Sequence, residues 1–162
     1  PIVKLYDDFT ETEESKILEP ADFGYWEITV EQPLRLRFEV TQERIDEAMA
    51  TKPVTRLDEA GIRTALTSLT GKTWTNRDDF VKALRAALKA AGVTVGAPVI
   101  KALWQAIGER DESADICTDN KGNPEPDTDL RDTELVPFRD DIQTYFEHEV
   151  KTHVPDAWID ET

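Results

Sequence analysis

The clearest pattern in the chain is a period-two alternation in YWEITVEQPLRLRFEV, residues 25–40. Trp26, Ile28 and Val30 fall on one face of a first run, and Leu34, Leu36, Phe38 and Val40 on one face of a second. Arg35, Arg37 and Glu39 lie opposite the second set. Alternation of this kind predicts two half-buried strands. Pro33 between them lacks an amide donor and suits a turn or a strand start. The expected arrangement is therefore an N-terminal antiparallel hairpin. Upstream, IVKLY at 2–6 has the makings of a short strand, and the polar, acidic residues 7–20 read as a loop.

The period then changes to that of helices. Thr41 is placed to cap a helix through QERIDEAMA. Thr55, with Asp58 three residues on, resembles a capping box for a second helix carrying Leu57, Ile62, Ala65, Leu66 and Leu69, with Gly71 at its end. Thr75 and Asp78 repeat the device ahead of a stripe of Phe80, Val81, Leu84, Ala87 and Leu88, closed by Gly92. Pro98 suits the first turn of a further helix through Val99, Ile100, Leu103, Trp104 and Ile107, up to Gly108. The last three of these form a central cluster of short helices. Next comes an acidic stretch, 109–137, with a turn signal at Asn120-Lys121-Gly122-Asn123. Ala114, Ile116 and Leu130 are candidate markers of flanking strands. Pro137 is placed to open an amphipathic helix with Phe138, Ile142, Tyr145, Phe146 and Val150. The tail HVPDAWID is apolar enough to dock.

The expected fold class is α+β. It comprises strands and loop at 1–40, a helical unit at 41–108, an acidic loop or hairpin at 109–137, a helix at 138–151 and a docking tail at 152–162. These are read as one noncatalytic module, 1–162.

Composition adds constraints. Hydrophobic residues make up 39% of the chain, and four Trp and six Phe are spread along its 162 residues, enough for a packed core. The formal charge is −15, from 34 acidic and 19 basic residues. Such a surface repels a phosphate backbone and disfavours autonomous nucleic-acid binding. There is no apolar run of membrane-spanning length and no signal peptide. The lone Cys117 forms no internal disulfide, which fits a reducing cytoplasm. The missing initial Met, and the stop just after an apolar tail, lead us to expect a fragment of a longer protein.

Candidate chemistry was weighed motif by motif. With Gly122 at the sixth position of an EF-hand loop, Cys117 and Lys121 fall where oxygen ligands belong. Zinc has too few ligands, since His148 and His153 are badly spaced on a helix and only one cysteine accompanies them. Cys117 in an acidic setting has a thiol raised rather than activated. Asp22-Phe23-Gly24 matches a kinase metal triplet in letters alone, without the rest of that signature. Gly24 more simply turns the chain into its first strand, with Asp22 serving amides of that turn. Arg35 and Arg37 can meet phosphate or a partner carboxylate, or simply pair with acids on a charged sheet face. Trp104 is expected in the core. Trp158, beside Pro155, Ala157 and Ile159, suits contact with further chain or a subunit. Arg35, Arg37, Tyr145 and Trp158 are thus the expected interface residues, with no catalytic, cofactor or metal residue expected in the chain.

Three segments together carry a resemblance: DFGYWEITVEQPLRLRFEVTQERI at 22–45, ERDESADICTDNKGNPEPDTDLRDTELVPFRDDIQTYFEHEV at 109–150, and HVPDAWIDE at 153–161. They resemble the C-terminal region of the modification subunit of type I restriction–modification systems, in the N6-adenine DNA methylase family. The resemblance implies S-adenosylmethionine as methyl donor and the adenine amine in DNA as acceptor. It places both the cofactor motif and the Asn-Pro-Pro-aromatic motif in an upstream methyltransferase domain. Asn123-Pro124-Glu125 is not that motif, so no catalytic role passes to this chain. The implied partners are the methyltransferase domain and the specificity subunit, with the motor/restriction subunit a further candidate, and DNA met only through the whole assembly. The rival expectation is an independent acidic interaction module or DNA mimic. A small hydrolase built on Cys117 or the acidic cluster is a third.

Overall fold

The structure, a computed structural model, describes residues 16–55 and 59–161. The expected strand at 2–6, most of the loop at 7–20, and the capping pair's Asp58 with Leu57 lie outside the described residues. The architecture is a mixed α+β fold with several short helices and two small antiparallel sheets. The chain divides into two compact units: Pro33–Asp127 is one, and Pro1–Gln32 with Thr128–Thr162 forms the other.

The division falls inside the expected hairpin. The two alternating runs form β1 (Tyr25–Glu31) and β2 (Leu36–Glu39), but they do not pair with each other. β1 is central in a sheet with order β5-β1-β6, where β5 is Asp132–Pro137 and β6 is Trp158–Ile159. β2 is central in a sheet with order β3-β2-β4, where β3 is Thr73–Trp74 and β4 is Gly108–Arg110. Alternation specifies that a segment is a strand and which face is buried. It does not specify the neighbour, and Gln32-Pro33 is no tight two-residue turn.

In Pro33–Asp127, four helices pack with the β2 sheet: α1 (Gln42–Met49), α2 (Glu59–Thr67), α3 (Arg77–Ala90) and α4 (Ala97–Ile107). Their ends follow local chemistry. Thr41 Oγ1 accepts from the Arg44 amide at 3.3 Å and caps α1. The α3 cap is Asn76 rather than Thr75; its Oδ1 accepts from the Asp78 and Asp79 amides at 3.0 and 3.2 Å. At the other end of α3, Gly92 takes φ +73°, the Gly92 amide donates to Lys89 O, and the Val93 amide donates to Leu88 O. This paired bonding is a Schellman ending, which glycine's freedom at positive φ allows. The helix stripes bury Ile45, Ile62, Leu66, Phe80, Leu84, Leu88, Leu103 and Ile107 around Phe38. Phe38 stacks on Phe80 with centroids 4.4 Å apart, and Trp74 meets Phe80 edge-on at 5.3 Å. Each such ring removed from water contributes about 2–3 kcal/mol. Gly108 is required by close approach, since a Cβ there would lie 3.0 Å from both the Phe38 ring and Trp104 O.

Residues 109–127 of the acidic stretch are ordered in this same unit, while 128–137 belong to the other, where they supply β5. Thr118 and Pro124 bridge across a turn in which Asp119 Oδ1 accepts from the Lys121 and Asn123 amides at 2.7 and 2.9 Å. Gly122 supplies φ +86° there. The hairpin lies along residues 33–35: the Leu34 amide donates to Glu125 O and the Cys117 amide to Leu34 O, both at 2.8 Å. Ile116 bridges to Arg35, whereas Ala114 is buried in a turn and Leu130 stands exposed in another, so neither marks a strand.

In the other unit, Pro137 ends β5 instead of opening a helix. The chain turns through residues 138–140, and helix α5 (Ile142–Tyr145) starts at an Asp141 cap, continuing as a π-helical turn, Phe146–Val150. The helix is therefore shorter than the expected 138–151, and Phe138 is not part of it. β6 brings the tail onto β1 in the register Val30↔Ile159 and Glu31↔Trp158. Ile28, Val30, Val136, Phe146, Val150 and Ala157 form the core.

Candidate interaction surface

The expected interface residues are engaged within their own units. Arg35 is half-buried and donates to Ala114 O at 2.7 Å, fastening the start of the acidic stretch to β2. Arg37 pairs with Glu39 at 2.6 Å along the same strand. Tyr145 packs against the core of the unit holding β1, and Trp158 is part of β6. Arg35 and Arg37 belong to one unit, Tyr145 and Trp158 to the other.

The other singled-out groups have structural roles. Cys117 is buried; burial pushes its thiol pKa up, and Glu125 adds to this against the pull of Arg77. Trp104 is half-buried, with the Arg77 guanidinium 5.2 Å from its ring centroid. Arg77 also meets both oxygens of Glu125, at 2.5 and 2.9 Å, and donates to Thr118 O. Arg110 grips buried Asp127 with two bonds, and Arg131 meets buried Glu31 at 2.7 Å. Burying a carboxylate without such a partner is costly, so these pairs are conditions of folding. His148 lies exposed on the π-helical turn and His153 exposed just beyond it. Among the described residues no group of three or more His, Cys, Asp or Glu is arranged to hold a metal ion. Among them, too, no helix is long and apolar enough to cross a membrane. An open cleft of about 300 Å³ between α3 and α4 is lined by Arg85, Leu88, Lys89, Val93, Val95 and Ile100. Its Lys89 sits in the last turn of α3, where a cation complements the helix dipole.

A different surface stands out at the start of β1. Phe23 is 67% exposed, Tyr25 56%, Trp26 52%, Leu135 46% and Phe138 45%. The register Tyr25↔Pro137, Trp26↔Val136 and Glu27↔Leu135 gathers them at one end of the β1–β5 ribbon. The Phe138 amide donates to Gly24 O at 3.0 Å, extending the ladder by one pair. The Phe138 ring covers Gly24 so closely that an added Cβ would lie 2.2 Å from it, and the ring packs against Trp26 at 4.8 Å. Arg139 pins the neighbouring turn, reaching Asp22 at 2.5 Å and Glu19 at 3.0 Å. Asp22 in turn accepts from the Glu19 amide at 2.7 Å. Scattered exposed apolar residues are ordinary, but a Trp26–Phe138 ring pair held on one face of the ribbon end, with Tyr25 and Leu135 exposed on the other, marks an interaction surface.

Periodicity places Trp26 on the buried face of β1. It does share that face with Ile28 and Val30, but the core cluster stops short of it. Phe138 lies before the helix rather than in it. Gly24, whose open position receives the Phe138 ring, was the available signal in the sequence, but the ring it accommodates lies far along the chain.

No protein-family model, no curated protein and no solved structure matched the chain.

Proposed function

We propose that this chain is a noncatalytic part of the modification subunit of a type I restriction–modification enzyme, and that its task is to hold a neighbouring domain or subunit. The parent enzyme would transfer a methyl group from S-adenosylmethionine to adenine N6 in DNA. The resemblance of the three quoted segments motivates the identity. The observation that carries the scaffolding role is the exposed Trp26–Phe138 ring pair, held in place at the end of a sheet. The charge of −15 supports a protein partner over direct contact with DNA phosphates.

The test is methyl transfer from labelled S-adenosylmethionine to adenine-containing DNA, run with the chain alone and with the full-length subunit plus its specificity partner. Activity in the complete assembly only, lost together with assembly in a Trp26→Ala/Phe138→Ala variant, is the expected result. Activity of the chain alone overturns the noncatalytic assignment. A second reading, an independent acidic interaction module or DNA mimic, draws on the same net charge. It predicts that the isolated chain competes with DNA for a DNA-binding protein, which the scaffold reading does not.

A further inference from the structure

The ribbon that carries the aromatic cluster has one open edge. β5 pairs with β1, and among the described residues nothing pairs with its other side. The hydrogen-bond parity of that edge follows from one contact. Phe138 bonds to Gly24, so in an antiparallel ladder every second residue back from it, Val136, Glu134 and Asp132, faces β1. Thr133, Leu135 and Pro137 then direct their backbone groups outward. Pro137 has no amide, and its carbonyl already accepts from Asp140 at 2.9 Å. The Thr133 amide donates to Asp132 Oδ1 at 2.8 Å. What remains is a short set of unspent groups: the Leu135 amide and carbonyl and the Thr133 carbonyl. Exposed Leu135 sits among them, with exposed Tyr25 diagonally across the ribbon. Glu27, opposite Leu135, and Glu134 beside it meet no cationic side chain among the described residues.

We infer that this edge receives an extended, cationic segment of a partner protein by strand addition, with an apolar side chain seated on Leu135 and Tyr25 on one face and Lys or Arg beside Glu134 on the other. Three observations point to that one occupant. Open amide and carbonyl groups call for a strand, the exposed Leu and Tyr call for an apolar side chain, and uncompensated carboxylates in a chain of charge −15 call for a cation. The inference rests on the scaffold reading and specifies its mode of contact.

The test uses the whole chain and a short capped peptide of alternating Lys and Val, followed by backbone amide NMR. Binding is expected to move the Leu135 and Thr133 amide signals. N-methylation of the peptide amides on one edge should weaken it roughly fivefold to tenfold, about the loss of one or two hydrogen bonds. Leu135→Pro removes the outward amide together with the exposed Leu135 side chain and should weaken binding further; Glu134→Lys tests the charge without touching the backbone. Equal binding of the N-methylated peptide, or of a Pro-interrupted peptide of the same charge, overturns strand addition, as does no binding at all. If the peptide fails in these ways while Trp26→Ala/Phe138→Ala still breaks the enzyme assembly, the scaffold reading survives and this mode of contact falls. If the peptide binds at Leu135 while that double variant leaves assembly intact, the edge stands and the scaffold reading falls.

Discussion

The two units handle their aromatic residues in opposite ways. In Pro33–Asp127, Phe38 and Phe80 are fully buried and Trp74 packs on them, at the centre of a core fed by four helices and a sheet. In the unit that carries β1, the described core is a small set around Val136 and Phe146, while Phe23, Tyr25, Trp26 and Phe138 face solvent. One unit buries its Phe rings for stability; the other buries Phe146 but presents four more aromatic rings. Charge follows the same division of labour. Arg77 and Arg110 close over the acidic stretch from within, which explains how a segment so rich in carboxylates folds as an ordered hairpin. At the ribbon end, Glu27 and Glu134 have no cationic partner among the described residues.

The largest expected effect breaks the first unit. Phe80→Ala removes the ring between Phe38 and Trp74 and should cost about 3–5 kcal/mol in urea unfolding. Cys117 offers a reporter for that unit, since its buried, raised thiol should react slowly with an alkylating reagent until Pro33–Asp127 opens. In the Phe80→Ala variant, alkylation should accelerate in step with the lost stability; an unchanged rate would mean that the thiol is reached without opening this core.

Arg77→Met comes next. It leaves Glu125 without its two-pronged partner and Thr118 O without a donor, and should destabilise by about 2–3 kcal/mol. Glu125→Gln in the same background should recover part of that, because a neutral side chain tolerates the missing guanidinium. Additive losses would show that the pair does not act as a unit.

The ribbon end should behave in the reverse sense. Trp26→Ala or Phe138→Ala should change stability by about 1 kcal/mol or less, since both rings are half-exposed, while abolishing partner capture. Gly24→Ala should displace the Phe138 ring and weaken capture without removing any ring. A large stability loss with binding retained would reassign this cluster from presentation to packing.

The smallest effect is that of acid. Hydrogen bonds from the Asn123 and Lys121 amides lower the Asp119 pKa, and those from Thr144 lower the Asp141 pKa. A carboxyl whose folded pKa lies below its unfolded value stabilises the fold above the unfolded value, near 4. That stabilisation is lost as pH falls through the window down to the folded pKa. Amide protection at Lys121, Asn123 and Thr144, measured against the intrinsic exchange rate, should therefore fall on acidification below about pH 4, with the Pro33–Asp127 core protected to lower pH. Simultaneous release of core and turns would contradict such local unfolding.

Local chemistry made much of this readable in advance. Strand and helix identity followed from period two against period 3.6, as in Ile28 and Val30, or Phe80, Leu84 and Leu88. The Thr41 cap, the Gly92 ending and the Gly122 turn each depend on residues a few positions apart. The mixed α+β class followed from these elements. Pairing did not, because alternation states which face of a strand is buried and is silent on which strand lies beside it. Pro137 shows the same limit, since a missing amide fits a helix start and an outward edge position equally well. Whether Trp26 ends in a core or in solvent depends on how far the residues from Val136, Phe146 and Val150 reach along β1. That is decided by packing between segments more than a hundred residues apart in sequence. By itself, then, the sequence determined the mixed α+β class, the two alternating strands, the helices of Pro33–Asp127 and an acidic surface. The tertiary structure decided the partners of each strand, the burial of Asp127 under Arg110, and the open edge with its rings, because long-range contacts alone select among arrangements that local preferences leave equal.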